Sequence, residues 1–397
     1  MIHFFNPGHE IAILNTSPYY MAPANVVAMQ HELAYLPAWY LNKEDKVFVW
    51  DLDDDAYFKY LSSNFGDLPE PILESELTLY DNEQISFWGI SPQVIHYWSE
   101  LQRNNLLDIK IPKWDKKYTY LNSRHAAKDL LLNISTENFQ ISSEIIPEFY
   151  TSLEDIEHLA SNSTNRLLAK APYSSSGRGL LWLPEGGLTR TERQILHGIL
   201  KKQRSISIEK VLDKQIDFAM EFISDGNGNV KFEGYSSFET NKKGAYLCNY
   251  LGEQREIEKY LTEKVSKTIL DEVKMDLEKT LSNECGFIYR GCIGVDMMIY
   301  KDANDFLLHP CLEINMRYNM GYLALKFSEN YLLEGSKGYF YIDFSNKLGE
   351  IEKKHKEMFL EHSPIFEDSK LKQGYLPLCP VTSSSHYWAY VLISGEL

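Results

Sequence analysis

The stretch Cys311-Leu312-Glu313-Ile314-Asn315-Met316-Arg317-Tyr318-Asn319 decides how this chain is read. Its apolar positions, with Leu307-Leu308 before them, suit a β-strand, on which alternate residues face the same side. Glu313, Asn315 and Arg317 therefore project together. Asp296, in Gly294-Val295-Asp296 at the start of an expected neighbouring strand, Val295 to Tyr300, can join them. Two carboxylates and an amide oxygen suit a hard, oxygen-preferring cation such as Mg2+, commonly held by a few carboxylates and the phosphates of a substrate. Arg317 adds a planar fork that pairs bidentately with a phosphate or carboxylate. Glu-x-Asn-x-Arg alone is equally well an edge strand with a solvated polar face. Its meaning rests on the residues around it.

A chain of 397 residues is too long for one simple core, so two or three domains are expected. Its 44% hydrophobic and 13% aromatic residues are those of a folded globular protein. The net charge of -16 leaves no excess of Lys and Arg to neutralise phosphates, so a nucleic-acid partner is not expected. Cys248, Cys285, Cys292, Cys311 and Cys379 form no C-x-x-C pair, which points to free, mostly buried thiols in a reducing cytoplasm. No apolar run approaches the ~20 residues that span a bilayer, and Met1-Ile2-His3-Phe4-Phe5 lacks the basic and long apolar regions of a signal peptide. A cytoplasmic protein without a membrane segment is expected. Its oligomeric state is open, a homo-oligomer included.

Upstream, strands and helices alternate. Ile2 to Phe5 is a short apolar run ended by the turn Asn6-Pro7-Gly8, and Ala24 to Leu36 has helical periodicity. Val47 to Trp50 and Ile85 to Gly89 read as strands. Asp53-Asp54-Asp55 starts a helix, and Ser91-Pro92 caps another. This order predicts a small open parallel sheet over residues 1–115. Ligands of such sheets lie beyond the carboxyl ends of the strands, which singles out His9, Glu10, Asp53 and Asp54; helix capping accounts for the acidic ones more simply.

In the middle, Asn122 or Ser123 caps a helix carrying Arg124 and Lys128. Arg166 to Pro172 is a strand that ends on Lys170 and runs into Tyr173-Ser174-Ser175-Ser176-Gly177-Arg178-Gly179, before a further strand at Leu180 to Leu183. Small residues let backbone N–H groups approach an anion closely, and Lys170 and Arg178 add charge; a plain flexible hairpin has the same composition. Ser207 to Asp213 is a strand, and Asp225-Gly226-Asn227-Gly228 turns a hairpin between Phe218–Phe222 and Val230–Phe232. Glu256 to Leu281 reads as one long amphipathic helix.

The order of these parts resembles the ATP-grasp superfamily of ATP-dependent carboxylate-amine and carboxylate-thiol ligases. It comprises a lysine-ended strand and Ser/Gly flap (Lys170, Ser174 to Gly179), a Glu-x-x-Leu strand end with an acidic residue after it (Glu209, Leu212, Asp217), then Gly-x-Asp (Gly294, Asp296) and Glu-x-Asn-x-Arg (Glu313, Asn315, Arg317). The likeness runs over residues 118–325. It implies an α/β protein with the ATP-grasp fold behind a small parallel-sheet domain, divided as 1–115, a first lobe with the flap at 116–205, a second lobe with the metal site at 206–337, and an extension at 338–397. It implies ATP and Mg2+, with Mn2+ as an alternative, and small-molecule carboxylate and amine substrates. By the same resemblance, Arg124 or Lys128, with Lys170, would contact nucleotide phosphates, and Ser175, Ser176 and Gly177 would close over them beside Arg178. Glu209 would accept from the adenine amino group, backbone groups of Val211 and Leu212 would complete the hinge, and Asp217 would hold the ribose. Asp296, Glu313 and Asn315 would bind Mg2+, and Arg317 an acyl phosphate.

The implied reaction is ligation through an acyl phosphate with release of ADP and phosphate. Two rivals use the same residues: a phosphotransferase, which would form ADP without free phosphate, and a nucleotide-binding module without catalysis. Further on, Tyr318 to Gly321 leads into a helix whose N-terminus favours an anion, Thr382 to Ser385 reads as a linker, and His386 to Ser394 as a terminal strand. His96, His125 and His197 read as surface or packing residues.

Overall fold

Four short strands open the chain, β1 (Ile2–Phe4), β2 (Lys46–Phe48), β3 (Glu70–Ile72) and β4 (Ile85–Phe87), and form a parallel sheet in the order β3-β2-β1-β4. The computed structural model describes all residues except 53, 135–138, 140, 175–176 and 395–397. Asp53 and the flap residues Ser175 and Ser176 therefore lie outside the described residues. Helices on the parallel sheet are capped as their sequences dictate: Asp54 accepts from Tyr57 N–H, and Ser91 from Val94 N–H ahead of Pro92. The helix from Ala24 ends at Glu32, short of the expected Leu36, because Pro37 starts a separate 3-10 helix, Leu36–Tyr40. β3 was not anticipated. Pro71 interrupts its apolar pattern, and an edge strand tolerates that residue.

A second sheet of β5 (Glu148–Tyr150), β6 (Leu167–Lys170), β7 (Leu180–Trp182) and β8 (Ile206–Lys210) is antiparallel, ordered β5-β8-β6-β7, and carries the lysine-ended strand at its centre. The remaining strands are β9 (Asp213–Asp225), β10 (Val230–Thr240), β11 (Tyr246–Leu251), β12 (Arg290–Asp302), β13 (Asp305–Asn315), β14 (Lys337–Phe344), β15 (Ile365–Glu367), β16 (Lys370–Pro377) and β17 (Tyr387–Ser394). They make one nine-stranded sheet in the order β13-β12-β9-β10-β11-β14-β17-β16-β15. Residues 338–394 thus continue the sheet that bears the carboxylates, and Thr382 to Ser385 is the turn between two of its strands rather than a linker.

One face of this sheet is apolar. Phe218, Met220 and Phe222 of β9 are fully buried with Leu270, Val273 and Leu277 of the helix Lys267–Cys285. The expected single helix from Glu256 to Leu281 is two, Gln254–Thr262 and Lys267–Cys285. Ser266 Oγ accepts from Ile269 N–H and starts a new N-terminus inside a stretch whose apolar periodicity looks continuous. All five cysteines are buried and unpaired. Among the described residues, no helix is long and apolar enough to cross a membrane.

Trp39, on the 3-10 helix within the first crossover, joins the outer sheets. Its ring packs on Phe65, Phe327 and Tyr331, and its indole N–H donates to Leu378 O at 2.7 Å. Because the side chain is fully buried, Trp39→Ala is expected to cost about 3–5 kcal/mol. A urea denaturation midpoint within error of the parent would show that Trp39 does not tie these parts together.

Candidate functional site

β12 and β13 set the site by register. Asp296 lies opposite Glu313, and Gly294 opposite Asn315, so the expected cation-binding residues share one face of the nine-stranded sheet. β13 is an edge strand, yet its polar face is covered. Ser123 caps the helix Arg124–Asn133 with its Oγ toward Ala126 N–H, and this helix lies against β13. From its first turn Arg124 donates to Glu313 Oε2 at 2.9 Å, Leu312 O at 3.3 Å and Ala171 O at 3.2 Å. Lys128, one turn on, sits over the Phe149 ring and lines a small gap with Glu209 and His309.

On the facing sheet Lys170 is buried and ion-paired with Glu209. Burial works to raise the Glu209 carboxyl, but Lys170, with Arg124 and His309 beyond it, outweighs that and holds it below the ordinary range. The Val211 N–H is already bonded to Arg166 O at 2.9 Å. Of the Val211 backbone groups expected at the hinge, this leaves the carbonyl. Leu212 follows in the same turn, its carbonyl accepting from Lys214 N–H at 3.0 Å. Asp217 sits on β9, accepts from Thr240 Oγ1 at 2.7 Å and pairs with Lys214. Gly177 has φ +74° and packs so closely that a Cβ would fall 2.5 Å from Gly244 O. Gly177 therefore rests on the β10–β11 turn, with Arg178 exposed beside it.

Arg317 leaves β13 and crosses to the parallel sheet, where its backbone bridges Gly89 and Tyr318 N–H donates to Trp88 O at 2.9 Å. Its Nε donates to Glu10 Oε1 at 2.7 Å and its Nη2 to Asn315 Oδ1 at 3.3 Å. Glu10 stands in the first turn of the helix His9–Asn15, as a helix-start acid does, and is also buried against the guanidinium. Burial acts to raise its carboxyl, and the charges of His9 and Arg317 overcome this to hold it well below the usual range. Asp54 caps the helix that follows it, accepting from Tyr57 N–H at 3.0 Å.

Two residues went unnoticed in the sequence. His309, on β13 behind Lys170 and Glu209, is buried, and burial and the Lys170 charge lower it to about 4. Glu221 lies on β9 opposite Gly294, on the same face as Asp296. It is buried, accepting from Asn319 Nδ2 at 2.8 Å and Ser236 Oγ at 2.9 Å. A Cβ on Gly294 would fall 2.5 Å from Asn319 Nδ2 and 2.9 Å from Glu221 Oε2, which is the physical reason for glycine in Gly-Val-Asp. Asn319 in turn caps the helix Met320–Tyr331, its Oδ1 accepting from Tyr322 N–H at 2.8 Å. The only cue to Glu221 was an acid inside an otherwise apolar strand, Phe218 to Phe222.

The donor set fits Mg2+. Burial and the negative charges of Glu313 and Glu221 push the Asp296 carboxyl well above its ordinary value, a conflict that a cation between the strands would relieve. Among the described residues no three His, Cys, Asp or Glu side chains surround a metal position. A cation here would therefore draw further ligands from Asn315, water and substrate phosphates.

No protein-family model matches the chain, and no curated protein does. Solved structures match along its full length. Biotin carboxylase from Campylobacter jejuni, in a β-γ-ATP complex, is 13% identical, with 100% of this chain and 88% of that one covered and a TM-score of 0.50. N5-carboxyaminoimidazole synthetase from Staphylococcus aureus is 13% identical over 100% of this chain and 93% of its own, with a TM-score of 0.48. The biotin carboxylase domain of Hydrogenobacter thermophilus 2-oxoglutarate carboxylase is 10% identical over 100% and 86%, with a TM-score of 0.49. The small parallel sheet, the central antiparallel sheet and the large mixed-order sheet, with the biotin carboxylase likeness, define the class: this chain has the ATP-grasp fold.

Glu221 makes a pH signature. Burial raises its carboxyl from the ordinary 4.5 to about 7. The unfolded chain ionises there first, so the stability associated with the protonated group is complete below pH 4.5 and is lost as pH rises through about 7, amounting to about 3 kcal/mol. Glu221→Gln is expected to flatten the fall in melting temperature between pH 5 and pH 8. An unchanged slope would place this titration elsewhere.

Proposed function

We propose that this protein is an ATP- and Mg2+-dependent ligase that converts a carboxylate to an acyl phosphate and joins it to an amine or similar nucleophile, releasing ADP and phosphate. One observation carries the reading. Within the ATP-grasp fold, Arg124 and Lys170 face a strand pair bearing Asp296, Glu313 and Asn315, and Arg317 stands at its end. Residues 1–115 would supply the substrate surface, 116–205 and 206–337 the two lobes of the nucleotide cleft, and 338–397 the continuation of the large sheet. Five unpaired thiols support a cytoplasmic setting.

A carboxylate resists attack because oxide is a poor leaving group, and phosphorylation supplies a good one. In the proposed sequence a nucleotide exchanges the internal pairs of the cleft. Lys170 turns from Glu209 to the phosphates, and Glu209 accepts from the adenine amino group. Arg124 and Lys128 lie on the same side of the cleft for the phosphate oxygens, with Asp217 for the ribose. Mg2+, held by Asp296, Glu313 and Asn315, would neutralise phosphate charge when bound. The terminal phosphoryl group passes from the ADP oxygen to a carboxylate oxygen, and Arg317 stabilises the resulting acyl phosphate. The amine nitrogen then bonds to the acyl carbon, the carbon–oxygen bond to phosphate breaks, and the nitrogen gives up a proton. Gly177, resting on the β10–β11 turn, would help limit water at the reacting phosphate.

Lys170→Ala should reduce turnover by about 100-fold or more at temperatures where the variant is still folded, although leaving Glu209 unpaired also lowers its melting temperature; turnover retained by the folded variant would make Lys170 structural. Glu313→Gln should raise the Mg2+ concentration needed for half-maximal activity by about tenfold, whereas an unchanged Mg2+ titration would remove Glu313 from the cation site. The deciding assay follows ADP and phosphate released from ATP with pooled amines and carboxylates. Equal amounts that depend on the pool support a ligase. ADP without phosphate would overturn it in favour of phosphoryl transfer.

A further inference from the structure

The helix Gln254–Thr262 lies on the apolar face of the nine-stranded sheet, the face turned away from Asp296 and Glu313, and docks there through Ile257 and Leu261. Beside it the sheet is left open. A cleft of about 640 Å³ runs between Glu256, Ile257 and Tyr260 of this helix and the strands β9, β10, β11 and β14. Its volume is that of a small-molecule site. Apart from Asp217, no residue of its lining belongs to the proposed nucleotide cleft.

Three tyrosines shape the cleft. Tyr250 and Tyr339 pair across β11 and β14, with ring centroids 5.9 Å apart and planes at 79°, so they present faces at nearly a right angle. Tyr260 joins them from the helix. Burial, then the neighbouring Glu239, Cys248 and Tyr260, push the Tyr339 phenol up, so Glu239 and Tyr260 have this ring as a common neighbour.

Charge selects the occupant. Glu256 Oε2 accepts from the Tyr250 hydroxyl at 2.8 Å and has no cation, and Glu239 has no side-chain hydrogen bond or ion pair among the described residues. Lys214, the cation in the lining, is already paired with Asp217. An anionic ligand would meet two unanswered carboxylates, and a neutral one would strip water from them without replacing it. A cation answers both, and the faces of tyrosine rings attract it as well. Among the described residues no three His, Cys, Asp or Glu side chains surround a metal position, whereas Ile216, Ile257 and the rings offer contact to alkyl groups. An organic cation fits these walls.

We propose that this cleft binds a small organic ammonium ion bearing alkyl groups, its charged nitrogen over the faces of Tyr250, Tyr260 and Tyr339 and within reach of Glu239 and Glu256. The site is separate from the reaction cleft, and the proposal does not depend on the ligase reading.

Calorimetric titration of the full chain without nucleotide, using choline and its uncharged isostere in which a tert-butyl group replaces the trimethylammonium, tests the assignment. The two ligands share one shape and differ in charge. Choline is expected to bind about tenfold or more tightly. Glu239→Gln and Tyr260→Ala, both at exposed positions, are expected to keep the parent melting temperature and to weaken choline binding about threefold or more. Choline-selective binding that weakens in either variant supports the proposal. No heat from choline, equal binding of the two ligands, or choline binding unchanged in both variants overturns it. The last result would mean general attraction to a chain of net charge -16.

Discussion

Negative charge gathered on one face of the nine-stranded sheet is the constraint on which the rest of the structure depends. Asp296, Glu313 and Glu221 share that face, and Glu10 approaches it from the parallel sheet. Carboxylates this close in a poorly solvated setting destabilise one another unless cations or donors stand between them. Each has an answer from elsewhere in the chain. Arg124 reaches Glu313 from a helix, Arg317 reaches Glu10 after crossing from β13, and Asn319 and Ser236 donate to Glu221. Asp296 sits opposite Glu313 with its carboxyl pushed up, the position where a divalent cation would add most.

This arrangement also explains how the sheets are joined. The Arg317 backbone bridges Gly89 beside β4, while its side chain pairs with Glu10 after β1. Arg124 binds Ala171 O and Leu312 O, linking the end of the central sheet to the edge of the large one. Removing one member of such a buried pair costs about 3–5 kcal/mol, because the charge left behind is uncompensated. The groups suited to phosphate chemistry are therefore also the groups that hold the sheets in register.

Much of this was legible in the sequence, and the misses have specific causes. The strand from Leu307 to Asn315, the lysine-ended strand and the Asp225 to Gly228 hairpin each follow from local periodicity or turn chemistry. The break at residues 263–266 was missed because two amphipathic helices on the same sheet present one unbroken apolar stripe. Glu10 looked like a helix-start acid and is one; its second role depends on a residue more than three hundred positions away. Glu221 gave only a charge within an apolar strand, and a buried carboxylate is recognisable only from the donors packed around it.

The sequence by itself determined the elements and their order, because periodicity, caps and turns act over a few residues, and it determined that Glu313, Asn315 and Arg317 project together. Tertiary structure alone decided which charges meet. Lys170 pairs with Glu209 and Arg317 with Glu10 because β-sheet register and strand crossing bring them together. It also decided that Phe4, Trp50 and Tyr97 line a cavity instead of closing into a solid core. Contacts between distant residues are set by how the sheets pack, and no local pattern of residues encodes that distance.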